Sequence, residues 1–374
     1  MSPSPQAGLS AADEGRPGRP LYSGTGIAYE DDTPYEERAW PPGPRWRSFD
    51  GGPVQPSPPE DEEADRRLGP AGPTRRPQAA EVRLVNAAIL LRRPLLLTGR
   101  PGVGKSALAF RLARELGLGR VLQWPVTSRT TLGSGLFEYD VLGRAQAGQA
   151  WFAAQERTSA QEGVDGGASS DPLDIGDFIQ LGPLGTALLP HHLPRVLLID
   201  ELDKGDADLP NDLLSLFEDG WFAVQPLVRV KRHLGEVTVY TSDPGRTATI
   251  QDGIVKTRSF PIVIMTSNGE REFPEAFMRR CLRLDIPDPG PQELAELVTA
   301  HFGDGLADVQ ERLVREFMTR SAQVDGLASD QLLNAAHLVT SGAYSYGEED
   351  RAEWQAVLEA IWHPLNGDGA DWGV

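Results

Sequence analysis

One segment of this sequence has the residue types and the spacing needed to bind the phosphates of a nucleotide. It reads Gly-Arg-Pro-Gly-Val-Gly-Lys-Ser from Gly99 to Ser106 and fits the pattern GxxxxGK[ST]. Glycines at this spacing let successive backbone N–H groups curve around a phosphate. The lysine of the pattern contacts the β- and γ-phosphates, and the hydroxyl after it holds Mg²⁺. We therefore expect the nucleotide to be bound by Gly99, Arg100, Pro101, Gly102, Val103, Gly104, Lys105, Ser106 and Ala107.

Two adjacent carboxylates follow an apolar run further along the chain. Residues 196–199 are all apolar, and Asp200 and Glu201 come directly after them. Carboxylates at the end of a buried strand are costly unless their charge is compensated. A Mg²⁺ ion held by Ser106 and Asp200 compensates it, and Glu201 is placed to act as general base on the attacking water. Together with the glycine-rich segment, this pair predicts Mg²⁺-dependent hydrolysis of ATP.

A third apolar run, at residues 262–265, leads to further candidates for phosphoryl-transfer chemistry. Asn268 ends this segment, and its amide is expected to hydrogen-bond the γ-phosphate or the nucleophilic water. Arg279 and Arg280 follow in a short predicted helix. An arginine that enters a neighbouring subunit's site neutralises transition-state charge, although an exposed arginine pair can instead form surface salt bridges. We expect Asn268, Arg279 and Arg280 to join Glu201 as catalytic residues.

The residues around these motifs predict the elements that position them. Residues 106–116 have the apolar spacing of a helix that ends at Gly117. Residues 224–230 and 236–240 are candidates for a hairpin, and beyond Pro291 the pattern is purely helical. Strands alternating with helices and followed by a helical block predict an α/β fold with a parallel sheet and a small all-α lid. Short apolar runs typical of buried parallel strands occur at 94–97, 196–199 and 262–265, and residues 121–126 are a further predicted strand.

Composition divides the chain into four parts. Residues 1–77 are rich in Pro, Gly and acidic residues and lack lasting apolar periodicity, which predicts a disordered tail. Aromatic residues within it leave a second possibility open, that the segment orders on this chain's own globular part or on a partner. Residues 78–288 are predicted to form the α/β core, 289–366 the helical lid and 367–374 a C-terminal tail.

The net charge, the cysteine count and the distribution of apolar residues indicate which partners and which compartment to expect. The net charge is −18 over 374 residues and the pI is near 4.8. Binding to nucleic acid requires clustered Lys and Arg, so a nucleic-acid partner is not expected. Cys281 is the single cysteine, which excludes an intrachain disulfide and favours a reducing compartment. Since no run of about 18 apolar residues occurs and the N-terminus is polar, we expect a cytoplasmic protein without a membrane partner.

The motifs GRPGVGKS, VLLIDELDK, IMTSN and FPEAFMRRCLR occur in this order within residues 80–365. That part of the chain resembles an AAA+ ATPase of the MoxR-like family. The resemblance implies an AAA+ core with a helical lid, ATP and Mg²⁺ as ligands, assembly into a hexameric ring, and a protein client or a von Willebrand A-type partner. It also implies roles for individual residues: Lys105 and Ser106 in Walker A, Asp200 and Glu201 in Walker B, Asn268 as sensor 1, and Arg280 as arginine finger with Arg279 as the fallback.

The lid departs from the family pattern. A sensor 2 arginine is expected near residues 329–331, yet no arginine occurs from Val324 to Ala343. The leading functional interpretation is an ATP-driven remodeller or chaperone-like regulator of a protein partner. One alternative is a nucleotide-dependent switch in a bacterial signalling or defence assembly. Another is a nucleic-acid motor, against which the acidic balance argues.

Overall fold

The computed structural model describes residues 20–30, 32–70, 78–158, 174–303, 309–324, 327–341 and 351–363, with the backbone alone at 152–158 and 351–352. The predictions made for 1–19, for 71–77 and for the C-terminal tail at 367–374 lie outside the described residues. Within the described helices there is no stretch long and apolar enough to cross a membrane.

Strands of the described part form two sheets. They are β1 (Leu95–Thr98), β2 (Leu122–Pro125), β3 (Phe137–Tyr139), β4 (Ile179–Leu181), β5 (Val196–Asp200), β6 (Trp221–Ala223), β7 (Glu236–Tyr240), β8 (Thr247–Gln251), β9 (Ile254–Lys256), β10 (Ile262–Ser267) and β11 (Leu282–Asp285).

Helices surround the first sheet and make up the whole of the described chain after residue 290, apart from connecting loops. They are α1 (Glu62–Leu68), α2 (Ala79–Leu91), α3 (Ala107–Leu116), α4 (Leu132–Leu136), α5 (Val141–Thr158), α6 (Pro183–Ala187), α7 (Leu209–Asp219), α8 (Gln225–Val230), α9 (Glu275–Met278), α10 (Pro291–Phe302), α11 (Gln310–Gln323), α12 (Ser329–Thr340) and α13 (Arg351–Ile361).

The first sheet is parallel throughout, in the order β11-β1-β10-β5-β2. Its central strands are buried on both faces, which is why they read as continuous apolar runs instead of alternating ones. The carboxyl ends of β1, β5 and β10 therefore meet at one edge, where ligands bind in open α/β sheets. The predicted α/β class with a parallel sheet is confirmed.

The second sheet has the order β3-β4-β7-β8-β9-β6. Here the predicted hairpin between 224–230 and 236–240 is wrong. Residues 225–230 form α8, and β7 pairs with β8 instead. Pro226 lies in the first turn of α8, where its missing N–H costs nothing, and Leu227 is buried. A run of apolar residues this short fits a helical turn as well as a strand.

Residues 20–30 and 32–70, called the N-terminal strap here, pack against the core. The prediction of a disordered tail is therefore wrong for these residues, and its alternative of ordering on the chain's own globular part is confirmed. Tyr22 is fully buried, its hydroxyl donates to Glu81 Oε1 over 2.8 Å, and its backbone N–H donates to Asn86 Oδ1 over 3.0 Å. Phe49 stacks on Phe260 with 5.5 Å between ring centroids. Aromatic burial supplies the stabilisation that a Pro- and Gly-rich segment otherwise lacks.

The last helix of the strap, α1, lies against the core helix that follows the glycine-rich segment. Asp61 caps α1 by accepting from the backbone N–H of Glu63. Leu68 is buried at its other end, and Arg114 of α3 contacts Asp65 over 2.7 Å. Leu68 also lines the cavity at the carboxyl ends of the central strands, so the strap reaches that edge of the sheet.

The helices after residue 290 have a hydrophobic cluster of their own. Leu294 and Val298 of α10 pack with Phe317 of α11, Leu332 of α12 and Trp354 of α13. Each helix buries one apolar stripe, as expected for a bundle. This bundle forms the helical lid, and it faces the glycine-rich segment across a cavity.

Candidate active site

The glycine-rich segment forms the turn between β1 and α3. Gly99, Gly102 and Gly104 all have positive φ, at 150°, 75° and 86°. A Cβ at Gly102 would lie 2.3 Å from the Cβ of Ala328 in the lid, so only glycine fits at that point. The turn points the N-terminus of α3 into the cavity, which favours an anion there.

Lys105 is buried and extends back along this turn. Its Nζ donates to the carbonyl oxygens of Gly99 and Arg100, both at 2.8 Å, and to Asn268 Oδ1 at 2.7 Å. Burial lowers the pKa of the Lys105 ammonium, while the nearby carboxylates, Asp203 first, act to raise it. All three donors of the ammonium are directed at the phosphate-binding turn and the end of β10.

Asp200, at the end of β5, accepts hydrogen bonds from one residue of the phosphate-binding turn and from one residue of β10. Its Oδ1 accepts hydrogen bonds from the hydroxyl of Ser106 at 2.8 Å and from the hydroxyl of Thr266 at 2.6 Å. A hydroxyl and a carboxylate oxygen are the protein ligands that Mg²⁺ accepts beside phosphates and waters. Ser106 and Asp200, named from the sequence, are thus in direct contact. Thr266 was missed because only Asn268 was selected from the polar residues that follow the apolar run at 262–265.

Glu201 has a left-handed backbone conformation, with φ 59° and ψ 47°. This conformation is costly for a residue with a Cβ, and such residues cluster at functional sites. The backbone N–H of Glu201 donates to Thr266 Oγ1 at 2.8 Å, which holds the turn. The carboxylate is 2.9 Å from Lys204 Nζ and 3.4 Å from Asn268 Nδ2. The predicted general base and the predicted sensor amide are therefore neighbours.

Asp203 is a further residue of this cluster that sequence reasoning did not single out. It is buried, and its Oδ2 accepts from the backbone N–H groups of Asn268 at 2.9 Å and Glu270 at 3.1 Å. It thereby fixes the loop after β10 and aims the Asn268 amide at Lys105 and Glu201. The signal was available, since Asp203 is the third acid among the four residues 200–203.

A cavity of about 550 Å³ joins these groups to the strap and the lid. The phosphate-binding turn, Asp200, Glu201, Thr266 and Asn268 line one part of it. Leu68 of the strap and Leu294, Leu297 and His301 of α10 line another part, and charged and polar side chains of the strap, α3 and the lid also border it. The Nε2 atom of His301 is buried and has no hydrogen-bond partner among the described residues. A polar phosphate end and an apolar end with an unpaired ring nitrogen fit a nucleotide.

The predicted nucleotide ligands divide between this cavity and its surroundings. Gly99 and Arg100 lie beside it, with Arg100 3.6 Å from Asp288. The other predicted positions all line the cavity: Pro101, Gly102, Val103, Gly104, Lys105, Ser106 and Ala107.

The two predicted catalytic arginines are not among the residues that line the cavity. Arg279 is exposed and lies 3.2 Å from Glu275. Arg280 is half-exposed at the end of α9, and its guanidinium pairs with Glu218 of α7. Neither side chain is therefore brought to this chain's own Glu201.

None of the α12 residues that line the cavity is an arginine. Ser329, Asp330 and Leu333 of that helix line it instead. The backbone N–H of Ser329 donates to Gly102 O over 3.1 Å, which joins the start of α12 directly to the phosphate-binding turn. Where the family pattern expects an arginine near residues 329–331, the cavity is lined by the acidic side chain of Asp330.

Comparison with known proteins gives the family. The family model for the AAA domain (dynein-related subfamily) matches residues 94–281, half of the chain. No curated protein sequence matches the chain. Among solved structures, it is similar to the FIGL-1 AAA domain in complex with ADP, with 15% identity, 74% of each chain covered and a TM-score of 0.34. It is also similar to a variant of RuvB from Thermotoga maritima, with 14% identity, 79% of this chain and 68% of that chain covered, and a TM-score of 0.35. The match over β1, β5, β10 and the phosphate-binding turn shows that the chain belongs to the AAA domain family, in its dynein-related subfamily.

Proposed function

We propose that this protein is a Mg²⁺-dependent ATPase of the AAA+ type that hydrolyses ATP at the cavity between core and lid. The observation that carries the proposal is the contact of Asp200 with both Ser106 and Thr266, beside the chain of contacts from Lys105 through Asn268 to Glu201. These are the groups that phosphoryl transfer to water requires, and they converge at one sheet edge.

Each side chain has a distinct task in this proposal. The backbone N–H groups of the turn and Lys105 hold the phosphates, and Ser106 and Asp200 hold the metal. Mg²⁺, when bound, neutralises charge on the phosphate oxygens. Glu201 accepts the proton of the attacking water, and Asn268 orients that water or the γ-phosphate. Thr266 and Asp203 keep the two loops in position.

The biological role that fits best is the remodelling or chaperone-like regulation of a protein partner by a MoxR-like ring. Membership of the AAA family supports ring assembly, and the placement of Arg280 away from its own site supports a role at a neighbouring subunit. The partner is then a protein client or a von Willebrand A-type protein. We keep residues 78–288 as the core and 289–366 as the lid in this proposal.

Phosphate release by the purified protein tests the activity. Wild type with ATP and Mg²⁺ is expected to release phosphate, and EDTA or Lys105→Ala is expected to stop it. Equilibrium binding of ATP and ADP is measured beside it. A protein that binds neither nucleotide in the presence of Mg²⁺ would overturn the proposal.

One observation supports a second candidate, a nucleotide-dependent switch with slow turnover. The carboxylate of Glu201 pairs with Lys204 at 2.9 Å, and this ion pair competes with its action as a base. In a switch, Lys204→Ala would raise the rate of hydrolysis by freeing the carboxylate. An unchanged rate in this variant would speak for the remodelling ATPase.

A further inference from the structure

The nucleotide cavity is lined in part by α1 of the N-terminal strap, which lies outside the segment matched to the AAA family. Arg66, Arg67 and Leu68 all border the cavity. The strap therefore does more than cover the core, since it places two guanidinium groups beside the site proposed for a polyanion. Guanidinium groups are well suited to phosphate because their donors form a planar fork.

The other cations that line the cavity are already accounted for. Lys105 belongs to the phosphate-binding turn. Arg111 is buried inside the core, 3.6 Å from the carboxylate of Glu81. Among the described lining residues this leaves the two arginines of α1, because the lid presents Asp330 where an arginine was expected.

Arg67 is the better placed of the two. Its side chain is 48% exposed against 75% for Arg66. Its guanidinium lies 5.5 Å from the ring centroid of Phe110, and it reaches Gln123 of β2 at 3.4 Å. Phe110 comes about one helical turn after Ser106, so Arg67 borders α3 beyond the phosphate-binding turn. Asn268 lines the same cavity from the loop after β10.

The lid contacts the strap close to Arg67. Gly69 follows α1 with φ 81°, and a Cβ there would lie 2.3 Å from the carbonyl oxygen of Ala300. The strap thus touches α10 beside His301, whose Nε2 is buried without a partner in the described chain. Leu68 and Leu297 add apolar surface. An aromatic base fits this end, which leaves the adjoining ribose and α-phosphate next to α1.

We propose that Arg67 is a nucleotide-binding residue, supplied by the strap, that contacts the ribose–α-phosphate part common to ATP and ADP. This inference rests on the proposed nucleotide site. In the structure Arg67 Nε donates to Glu63 Oε1 at 3.0 Å, and binding exchanges this exposed pair for a phosphate oxygen. Such exposed pairs contribute little to stability, so the exchange is favourable.

Binding of ATP and ADP to the full-length protein tests the inference, with three variants compared. Arg67→Gln should raise Kd by about 10- to 100-fold for both nucleotides, the range for a lost hydrogen bond to a charged group. Arg67→Lys should recover part of the loss. Glu63→Gln is the matched control, because it removes the same ion pair but keeps the cation, and it should leave Kd unchanged or lower.

The outcomes separate this inference from the proposed function. If wild type binds no nucleotide, the proposed function fails. If wild type binds but Arg67→Gln binds equally well, or loses affinity only for ATP, the assignment of Arg67 is wrong. Equal losses in Arg67→Gln and Glu63→Gln, with equal falls in Tm, would reduce Arg67 to a structural partner of Glu63 and also overturn it.

Discussion

Lys105 Nζ lies 2.7 Å from Asn268 Oδ1, which joins the start of α3 to the end of β10 across the sheet edge. The other contacts of the ammonium are carbonyl oxygens of its own turn, at 2.8 Å. Phosphate oxygens are stronger acceptors for an ammonium than these neutral groups. In the proposed ATPase we therefore expect a bound phosphate to draw Lys105 away, which leaves the amide of Asn268 to contact Glu201 or water.

Replacing Lys105 and Glu201 should separate binding from hydrolysis. Lys105→Ala removes a ground-state phosphate contact, so the Kd for ATP should rise about 10- to 100-fold. The carboxylate of Glu201 acts only on the attacking water, so the Glu201→Gln variant should bind ATP normally while its kcat falls by about 10²- to 10⁴-fold. Equilibrium binding and phosphate release measure the two effects. Normal hydrolysis by Glu201→Gln would rule out the general-base role.

Thr266 should prove to be a positioning residue. Its hydroxyl donates to Asp200 and accepts from the N–H of Glu201. Thr266→Val removes both contacts at similar volume, and kcat should fall about 10- to 100-fold because the two carboxylates lose their alignment. Thr266→Ser keeps the hydroxyl and should retain most activity. If Thr266→Ser is as impaired as Thr266→Val, the methyl packing matters and the hydroxyl does not.

Arg280 should act on a neighbouring subunit. Its charge stabilises the transition state there, so Arg280→Ala should lower kcat by about 10³-fold with little change in the Kd for ATP. Mixing it with Lys105→Ala should restore part of the activity, because some interfaces then pair an intact turn with an intact arginine. Arg279→Ala should be the milder change. Light scattering confirms co-assembly, and a co-assembled mixture without restored activity would contradict the assignment.

Tyr22 should anchor the strap to the core. Tyr22→Phe keeps the ring but removes the hydroxyl that donates to the buried carboxylate of Glu81, so the free energy of unfolding should fall by about 1–3 kcal/mol. Tyr35→Phe is a suitable comparison, since the Tyr35 hydroxyl makes two longer contacts of 3.3 Å with Leu193 and should cost less. Urea denaturation measures both. Equal effects would mean that the buried hydroxyl of Tyr22 adds nothing specific.

His191 should make the stability of the fold depend on pH. Burial, and then the charge of Arg195, lowers its pKa to about 3 from the usual 6.5. The unfolded chain therefore binds a proton that the folded chain does not, and stability present above pH 6.5 is lost as the pH falls toward 3. Between pH 7.5 and 5.5 this single group should cost about 1.4 kcal/mol. His191→Gln should show a smaller decrease over that interval, and an identical decrease would exclude His191 as the cause.

The fold class and the two halves of the proposed catalytic centre could be predicted from the amino-acid sequence. GxxxxGKS specifies a turn that only a strand before it and a helix after it can hold, and an apolar run ending in Asp200 and Glu201 requires a buried parallel strand. Both signals are local, because each motif by itself requires a particular backbone conformation over a few consecutive residues. For the same reason the positions of β1, β5 and β10 were predicted to within about two residues.

Packing between distant segments determines where the strap lies and which residues surround the candidate site. Tyr22 is buried in an apolar cluster to which α2 and α3 both contribute, and this cluster exists only after the sheet and helices have packed. Thr266, Asp203 and Arg67 become parts of the site through contacts between segments far apart in the chain. A local pattern does not identify the partners in these contacts, because chain topology sets them and sequence spacing does not.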